Sequence, residues 1–510
     1  AQKKNLGNLK HIILFDMGEK AVAWMGVKVH RFGDVLETGQ KEFAKNPAPV
    51  EESIAAGERD DIATLIFTSG TTGTPKGVML SHGNLLHQVE NVPKLISTGP
   101  EDIWLCVLPV WHSFERIMQY VATCWGSALA YSKPVGQIML ADMQKIKPTW
   151  MASVPRIWEA VQAGIYRNVN KEGGAKSLHI HFLVGTSGLW VGFRNQLFGL
   201  LPQFKKRIRI LDILISIVPF LLLLPLKLLG DKLVFGKIKA KLGGRFVAGI
   251  SGGGALPKSV DRFFSAAGIL LLEGYGLTET APVLGVRNQN HPIPGTVGPV
   301  FPGTVIEIRD EEGAVLAPGH KGIVYAKGPQ LMKGYYKQPE MTAAMISADG
   351  WLNTGDLGML TWNNELAIMG RVKDTIVLRG GENIEPLPIE QKMRESVYIA
   401  QTMLLGQDQK FLAALIVPDI EALQEYAAAN NLGYIDRDDL LALPEIEELI
   451  NSEIQERISA KNGFKSFERV NRFRLLSKPF EVGDELSQKQ EIKRHVIVER
   501  YQDLIASIFA

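Results

Sequence analysis

The chain has 510 residues, enough for two to four domains at roughly 100–200 residues each. Apolar residues make up 46% and charged residues 22%, and 56 Lys and Arg stand against 54 Asp and Glu. This excludes a disordered chain, a collagen and a small disulfide scaffold, and the +2 balance gives no ground for nucleic acid as a partner.

AQKKNLGNLK opens the sequence without the pattern of a signal peptide. HIILFDM (11–17) reads as a buried parallel strand, and IATLIFTSG (62–70) as a strand running into a glycine loop. A helix is expected from Ser81, whose hydroxyl can cap it. IWLCVLPV (103–110), PTWMASVP (148–155), RFVAGISGGG (245–254) and GILLLEGYG (268–276) read as further strands. The alternation with helices predicts an α/β fold, a mostly parallel sheet covered on both faces. Cys106 and Cys124 are too few for a disulfide framework and suit a reducing, cytoplasmic compartment.

ILISIVPFLLLLPL (213–226) runs fourteen residues without a charge. A membrane span takes about 20 residues, and Pro219 and Pro225 are expected to break a helix. Two readings stay open. One is a buried helix pair. The other is a surface patch touching lipid, flanked by Lys205, Lys206, Arg207, Arg209, Lys227 and Lys232. The second carries an expectation of peripheral contact through 205–232, at the inner face of the membrane.

From Gly295 the segments turn short and turn-rich, as in GTVIEIRDEEG and NELAIMG, which predicts a small antiparallel sheet or barrel. After GRVKDT (370–375), TIVLRGG, QTMLLG and LAALIVPD read as strands, with helices near 385–397, 420–430 and 445–460. Three parts result: an α/β core over 1–294, a β-rich part over 295–369 and a small α+β domain over 370–510.

TSGTTGTPKG (68–77) is the strongest local signal. Its glycines let backbone N–H groups turn toward an anion, its hydroxyls add donors, and Lys76 adds charge. It is not a Walker A loop, because Pro75 precedes the lysine and Gly77 follows it. In EGYGLTET (273–280), Tyr275 offers a flat face for a base, Thr278 a hydroxyl and Glu279 a carboxylate for a magnesium ion near phosphates. A capped structural turn would explain the same residues. SGGGAL (251–256) is weak on its own. In TGD (354–356), Asp356 could accept both hydroxyls of a ribose, and Arg371 could add a contact. In LPVWHSFER (108–116), His112 is open to a structural or a catalytic reading.

In this order, TSGTTGTPKG, GYGLTET, TGD and GRVKDTIVLRGGENIEP resemble the adenylate-forming (AMP-binding) acyl-activating enzymes over nearly the whole chain. LPVWHSFER, the apolar insertion with LLGDKLVFGKIKAKLGG, and GENIEPLPIE are similar to the branch of long-chain fatty acyl-CoA synthetases and acyl-acyl carrier protein synthetases. The resemblance implies a large domain of mostly parallel sheets flanked by helices, a β-rich subdomain and a small mobile α+β C-terminal domain. It implies ATP-dependent conversion of a fatty acid to acyl-AMP, then transfer to CoA, with acyl carrier protein as the alternative acceptor. It implies ATP and Mg2+. Thr68, Ser69, Gly70, Thr71, Thr72 and Lys76 would hold the pyrophosphate end. Tyr275 would lie against adenine near Gly253 and Gly254, Thr278 would touch the α-phosphate, and Glu279 the metal. Asp356 and Arg371 would hold the ribose, Lys373 the hinge, and His112 a place near the acyl carboxylate.

Two departures stand beside the resemblance. Only 67 residues precede Thr68, fewer than in the family, which implies an incomplete N-terminal core with one side of the large sheet uncovered. The C-terminal ELSQKQEIKRH (485–495) departs from the usual lysine run. Lys489 is the first candidate for the adenylation lysine and Lys493 the second, while alignment on Lys493 and Arg494 puts Glu491 at the lysine position. The rival readings are a ligase for another carboxylic acid and a non-catalytic adenylate-binding protein or degenerate fragment.

Overall fold

The structure is a computed structural model that describes residues 9–15, 27–68, 75–487 and 491–510. The chain forms two compact units, 1–61 and 62–510.

In the first unit, strands His11–Leu14 and Lys28–Arg31 pair in parallel, followed by helices Phe32–Lys45 and Ala48–Ala55. The first strand is parallel, as expected, but it is largely exposed rather than buried. Neither helix buries a residue, so this two-stranded sheet gains no apolar cover from them.

The second unit is built on a six-stranded sheet in the order Val283–Val286, Leu270–Gly276, Ala248–Ser251, Trp150–Ser153, Ile103–Cys106, Ala128–Tyr131. Only the first of these pairs antiparallel to its neighbour. Side chains alternate between the two faces of each strand. Trp104, Trp150, Ile250 and Leu272 therefore enter one apolar core, and Leu105, Met151 and Leu271 enter another. Trp104 and Trp150 stack at 5.3 Å. The large sheet is thus covered on both faces, against the expectation of an uncovered side. Exposed apolar residues lie instead on the edge strand Ile62–Thr68, at Leu65 and Phe67.

That strand pairs antiparallel with Lys76–Ser81, whose first two residues the sequence reading placed in the loop. Ser81 does cap the helix His82–Asn91: its Oγ accepts from Asn84 N, and Asn84 Oδ1 accepts from Ser81 N.

Strands Val305–Arg309, Gly322–Lys327, Leu352–Leu360 and Leu366–Arg371 form an antiparallel sheet in that order. Beyond it, Ile399–Leu405, Leu412–Pro418 and Val470–Leu475 form a three-stranded sheet with its own apolar cores, drawn entirely from residues past 375. Polar contacts join this lobe to the large sheet's helices and loops: Arg394 with Glu159, Gln391 with the Ala255 carbonyl, and Arg167 with Glu421.

The apolar insertion departs from two expectations, a break at the prolines and a buried helix pair. Helix Arg209–Gly230 is continuous through Pro219 and Pro225 and packs against helix Gly174–Phe198, so the prolines do not break it. Nor is it a buried pair, because much of its apolar surface is exposed. The carbonyls that its prolines deprive of a donor, four residues earlier, belong to Ile215 and Leu221, both on the exposed side.

Candidate functional site

A cavity opens at the C-terminal ends of the central strands. Open parallel sheets bind ligands at this end because strand-to-helix loops converge there. Its polar rim is His112, Gly253, Tyr275 and Thr278, and its apolar wall includes Val92, Ile96, Phe114, Met118, Ile250 and Val286. Gly254 is not on the lining, although its neighbours Gly252 and Gly253 are. A Cβ on Gly252 would stand 3.1 Å from the Phe114 ring, so glycine lets the loop and the ring share this wall.

His112 holds the N-cap of helix Ser113–Cys124, its Nδ1 accepting from Phe114 N at 3.2 Å. With Nδ1 an acceptor, the neutral ring carries its proton on Nε2. The structural and the site readings of His112 thus meet in one residue, which caps a helix and lines the cavity.

Tyr275 Oη donates to Asp356 Oδ2 at 2.7 Å, and Arg371 Nε lies 3.1 Å from Asp356 Oδ1. Asp356 and Arg371 are register partners on adjacent strands, which fixes the pair. Burial lifts the Asp356 carboxyl above its ordinary range against the pull of Arg371. Burial also raises the Tyr275 phenol, and Asp356 adds to it. For Arg371, burial weighs against the charge, but Glu491 and then Asp356 outweigh it and hold the guanidinium more firmly protonated.

Thr278 is buried beside Glu279 in a short turn after the strand. Glu279 Oε1 accepts from Tyr335 Oη at 2.8 Å. Lys76 Nζ sits 5.4 Å from the Tyr335 ring centre, and Thr68 pairs with Lys76 across the two strands. Lys76 and Glu279 therefore flank one tyrosine. Ser69, Gly70, Thr71 and Thr72 lie outside the described residues.

At the C-terminal side, Glu491 Oε1 lies 3.9 Å from Arg371 Nη2. Lys493 is not brought to this cluster: its Nζ donates to the Gly483 carbonyl at 3.3 Å. Lys489 lies outside the described residues. Lys373 sits in the turn Val372–Asp374 that follows the four-stranded sheet. Among the described residues, no group of three or more His, Cys, Asp or Glu side chains could hold a metal ion.

The sequence reading missed one buried network. Arg287 bridges Asp261 and Glu273, both at 2.8 Å, and Glu273 Oε1 accepts from Leu256 N at 2.9 Å. This pins the end of SGGGAL to the strand that carries Tyr275. The signal available was the Glu beside the GYG motif, but its basic partner lies fourteen residues away on another strand's exit.

Comparisons with known proteins fit this geometry. Residues 14–336 match the family model described as AMP-binding enzyme, and 373–510 match the AMP-binding enzyme C-terminal domain. The chain is 34% identical to the probable acyl-activating enzyme 16, chloroplastic, of Arabidopsis thaliana, over 98% of the chain and 71% of that protein. It is 32% identical to the long-chain-fatty-acid–[acyl-carrier-protein] ligase AEE15, chloroplastic, of the same plant, over 99% and 70%. It is 30% identical to the long-chain-fatty-acid–CoA ligase FadD15 of Mycobacterium tuberculosis, over 91% and 72%. Among solved structures, the adenylation domain of a carboxylate reductase from Mycobacterium chelonae shares the fold at a TM-score of 0.68, with 21% identity over 95% of this chain and 64% of that one.

Proposed function

Because the chain belongs to the AMP-binding enzyme family, we propose that it activates a long-chain fatty acid with ATP and passes the acyl group to a thiol. The observation that carries this reading is a single cavity in which His112, Tyr275 and Thr278 face an apolar wall, with Asp356 tied to the same tyrosine and Arg371 to Asp356. An adenylate-forming ligase needs that pairing of polar rim and apolar chamber.

In the first step a carboxylate oxygen attacks the α-phosphorus, and the bond to the β-phosphate breaks to release pyrophosphate. In the second, a thiol sulfur attacks the acyl carbon, the bond to AMP breaks, and the thiol proton leaves. Such displacements depend on positioning and electrostatics more than on covalent help. Thr68, Ser69, Gly70, Thr71, Thr72 and Lys76 would hold the pyrophosphate end. Thr278 would donate to the α-phosphate, and His112 would meet the acyl carboxylate through its Nε2–H. Tyr275, with Gly253 and Gly254, would border the adenine. Among the described residues, Asp356 Oδ2 is engaged by Tyr275 and Oδ1 by Arg371. A carboxylate has about four acceptor positions, so two are left for ribose hydroxyls. Glu279 fits as the one protein carboxylate of a magnesium site, since Tyr335 engages Oε1 and a magnesium ion otherwise takes phosphate oxygens and waters. That ion would shield polyphosphate charge.

The acceptor is a phosphopantetheine thiol, of CoA or of acyl carrier protein. The plant ligase named for acyl carrier protein matches more of this chain than FadD15 does, which supports that acceptor alongside CoA. The three-part division at 294 and 369, with a hinge near Lys373, belongs to the same reading, as does Lys489 as adenylation lysine. So does a cytoplasmic protein in peripheral contact with a membrane through 205–232, where long-chain acids partition.

Pyrophosphate release with a panel of free acids tests the proposal. Chains above about ten carbons should be preferred, because each buried CH₂ contributes about 0.8 kcal/mol. A flat profile, or a preference for aryl acids, would reject it. Mass spectrometry of products formed with CoA and acyl carrier protein offered together then separates the acceptors.

A further inference from the structure

Helix Arg209–Gly230 is amphipathic the wrong way round for water. Asp212, Ser216 and Lys227 are buried on its inner side against the neighbouring helix and turn. Ile210, Leu214, Val218, Leu221, Leu222 and Leu228 are each more than half exposed on the outer side. At 3.6 residues per turn these positions fall on one face. Its inner polar groups are satisfied locally, Asp212 by Arg207 and Lys227 by Asp231. The unit from Arg209 to Lys241 is long and apolar enough to cross a membrane by length and composition, yet little of it is buried. A contiguous apolar face of this kind needs a partner.

Resting on the peripheral-contact reading above, we infer that this outer face inserts into the headgroup region of an anionic bilayer and lies there without crossing it. Three observations select lipid and this depth. Exposed lysines lie at both ends of the apolar face, Lys205 and Lys206 before it and Lys232, Lys237 and Lys241 after it. This places positive charge where lipid phosphates would be. The uncharged run of fourteen residues is shorter than the roughly 20 a span takes. The carbonyls of Ile215 and Leu221, deprived of donors by Pro219 and Pro225, lie on the exposed side. At headgroup depth they meet water, whereas the hydrocarbon core would leave them unsatisfied.

The test is flotation of the 510-residue chain with phosphatidylcholine vesicles, with and without phosphatidylglycerol. The chain should float with the anionic vesicles and at least about tenfold less with the neutral ones. Leu214→Asn/Leu221→Asn/Leu222→Asn should cut binding about tenfold, with an unchanged circular dichroism melt. Lys232→Glu/Lys237→Glu should weaken it by removing the charge match alone. Failure to float, or undiminished flotation of the asparagine variant, overturns the inference. So does concentration-dependent self-association that the asparagine variant abolishes in the absence of vesicle binding, which would assign the face to a second copy. Retention through alkaline carbonate washing would overturn the in-plane placement. Pyrophosphate release from a soluble acid is read in parallel. A chain that floats but activates no acid supports the lipid face while rejecting the acyl-activation reading.

Discussion

Tyr275 donates to Asp356 across 2.7 Å, and this bond joins the central sheet to the four-stranded sheet. The two sheets therefore meet at a phenol and a carboxylate, and the phenol's residue lines the cavity. Arg371, one strand further, completes the carboxylate's partners and faces Glu491 of the C-terminal lobe.

Removing either partner of that bond separates architecture from chemistry. Tyr275→Phe keeps the ring but leaves Asp356 Oδ2 without its donor, and should cost about 1–2 kcal/mol of stability. Its main kinetic effect should be a raised KM for ATP. Asp356→Ala also strips Arg371 of a partner and, on the proposed role, should lower acyl-adenylate formation by about a hundredfold or more. Thermal melts and ATP–pyrophosphate exchange measure the two effects. An Asp356→Ala protein with normal exchange would remove Asp356 from the nucleotide site.

Much of this arrangement was legible because it is local or periodic. The Ser81 cap and the strands that carry Trp104 and Trp150 were legible from local pattern, while the facing of Trp104 and Leu105 to opposite cores was not. The Asp356–Arg371 pair was legible only through the family motifs, since nothing local says that the two residues stand opposite each other. What stayed hidden depends on contacts distant in sequence. Strand Lys76–Ser81 contains Gly77 and directly follows a loop, and it becomes a strand because Ile62–Thr68 and Gly334–Tyr335 pair with its two sides. The prolines of 213–226 argued for a break, yet packing against Gly174–Phe198 holds the helix through them. The Arg287 network joins positions 256, 261, 273 and 287, which no motif links.

The C-terminal lysines make opposite predictions. Lys493 Nζ is turned toward the Gly483 carbonyl in its own lobe. Lys493→Ala should therefore leave acyl-adenylate formation within about threefold of the parent, while Lys489→Ala should lower it by about a hundredfold, the scale of a charge placed at a transition state. Single-turnover adenylation followed by thiol transfer distinguishes a loss in the first step from one in the second. Equal and small effects of both substitutions would remove both lysines from the adenylation step, whereas no adenylation by the parent or either variant would favour a non-catalytic binding role.

Cavity shape should follow the contact between Gly252 and Phe114. A methyl group on Gly252 would sit 3.1 Å from two atoms of the Phe114 ring, so the ring must move by a few tenths of an ångström. Because the ring lines the cavity, Gly252→Ala should shift the preferred acid toward shorter chains. Phe114→Ala should tolerate bulkier ones, at a stability cost of about 3 kcal/mol for the lost packing. Relative kcat/KM across saturated acids reads both shifts. If neither variant moves the profile, the acyl chain does not pass this wall.

Glu273 should give stability a measurable pH dependence. Burial pushes its carboxyl up to about 7 from an ordinary 4.5, although Arg287 pulls the other way. Between those two values the folded chain holds a proton that the unfolded chain has released. Stability from this group is therefore full below about pH 4.5 and is lost as pH rises through about 7. Glu273→Gln cannot titrate, so it serves as the reference for every other group in the protein. The melting midpoint of the parent, measured against that of Glu273→Gln, should be more favourable near pH 5 than near pH 8. A difference that stays constant with pH, or that grows in the parent's favour toward pH 8, would mean that Arg287 keeps Glu273 ionised throughout and that the buried network is an ion pair at every working pH.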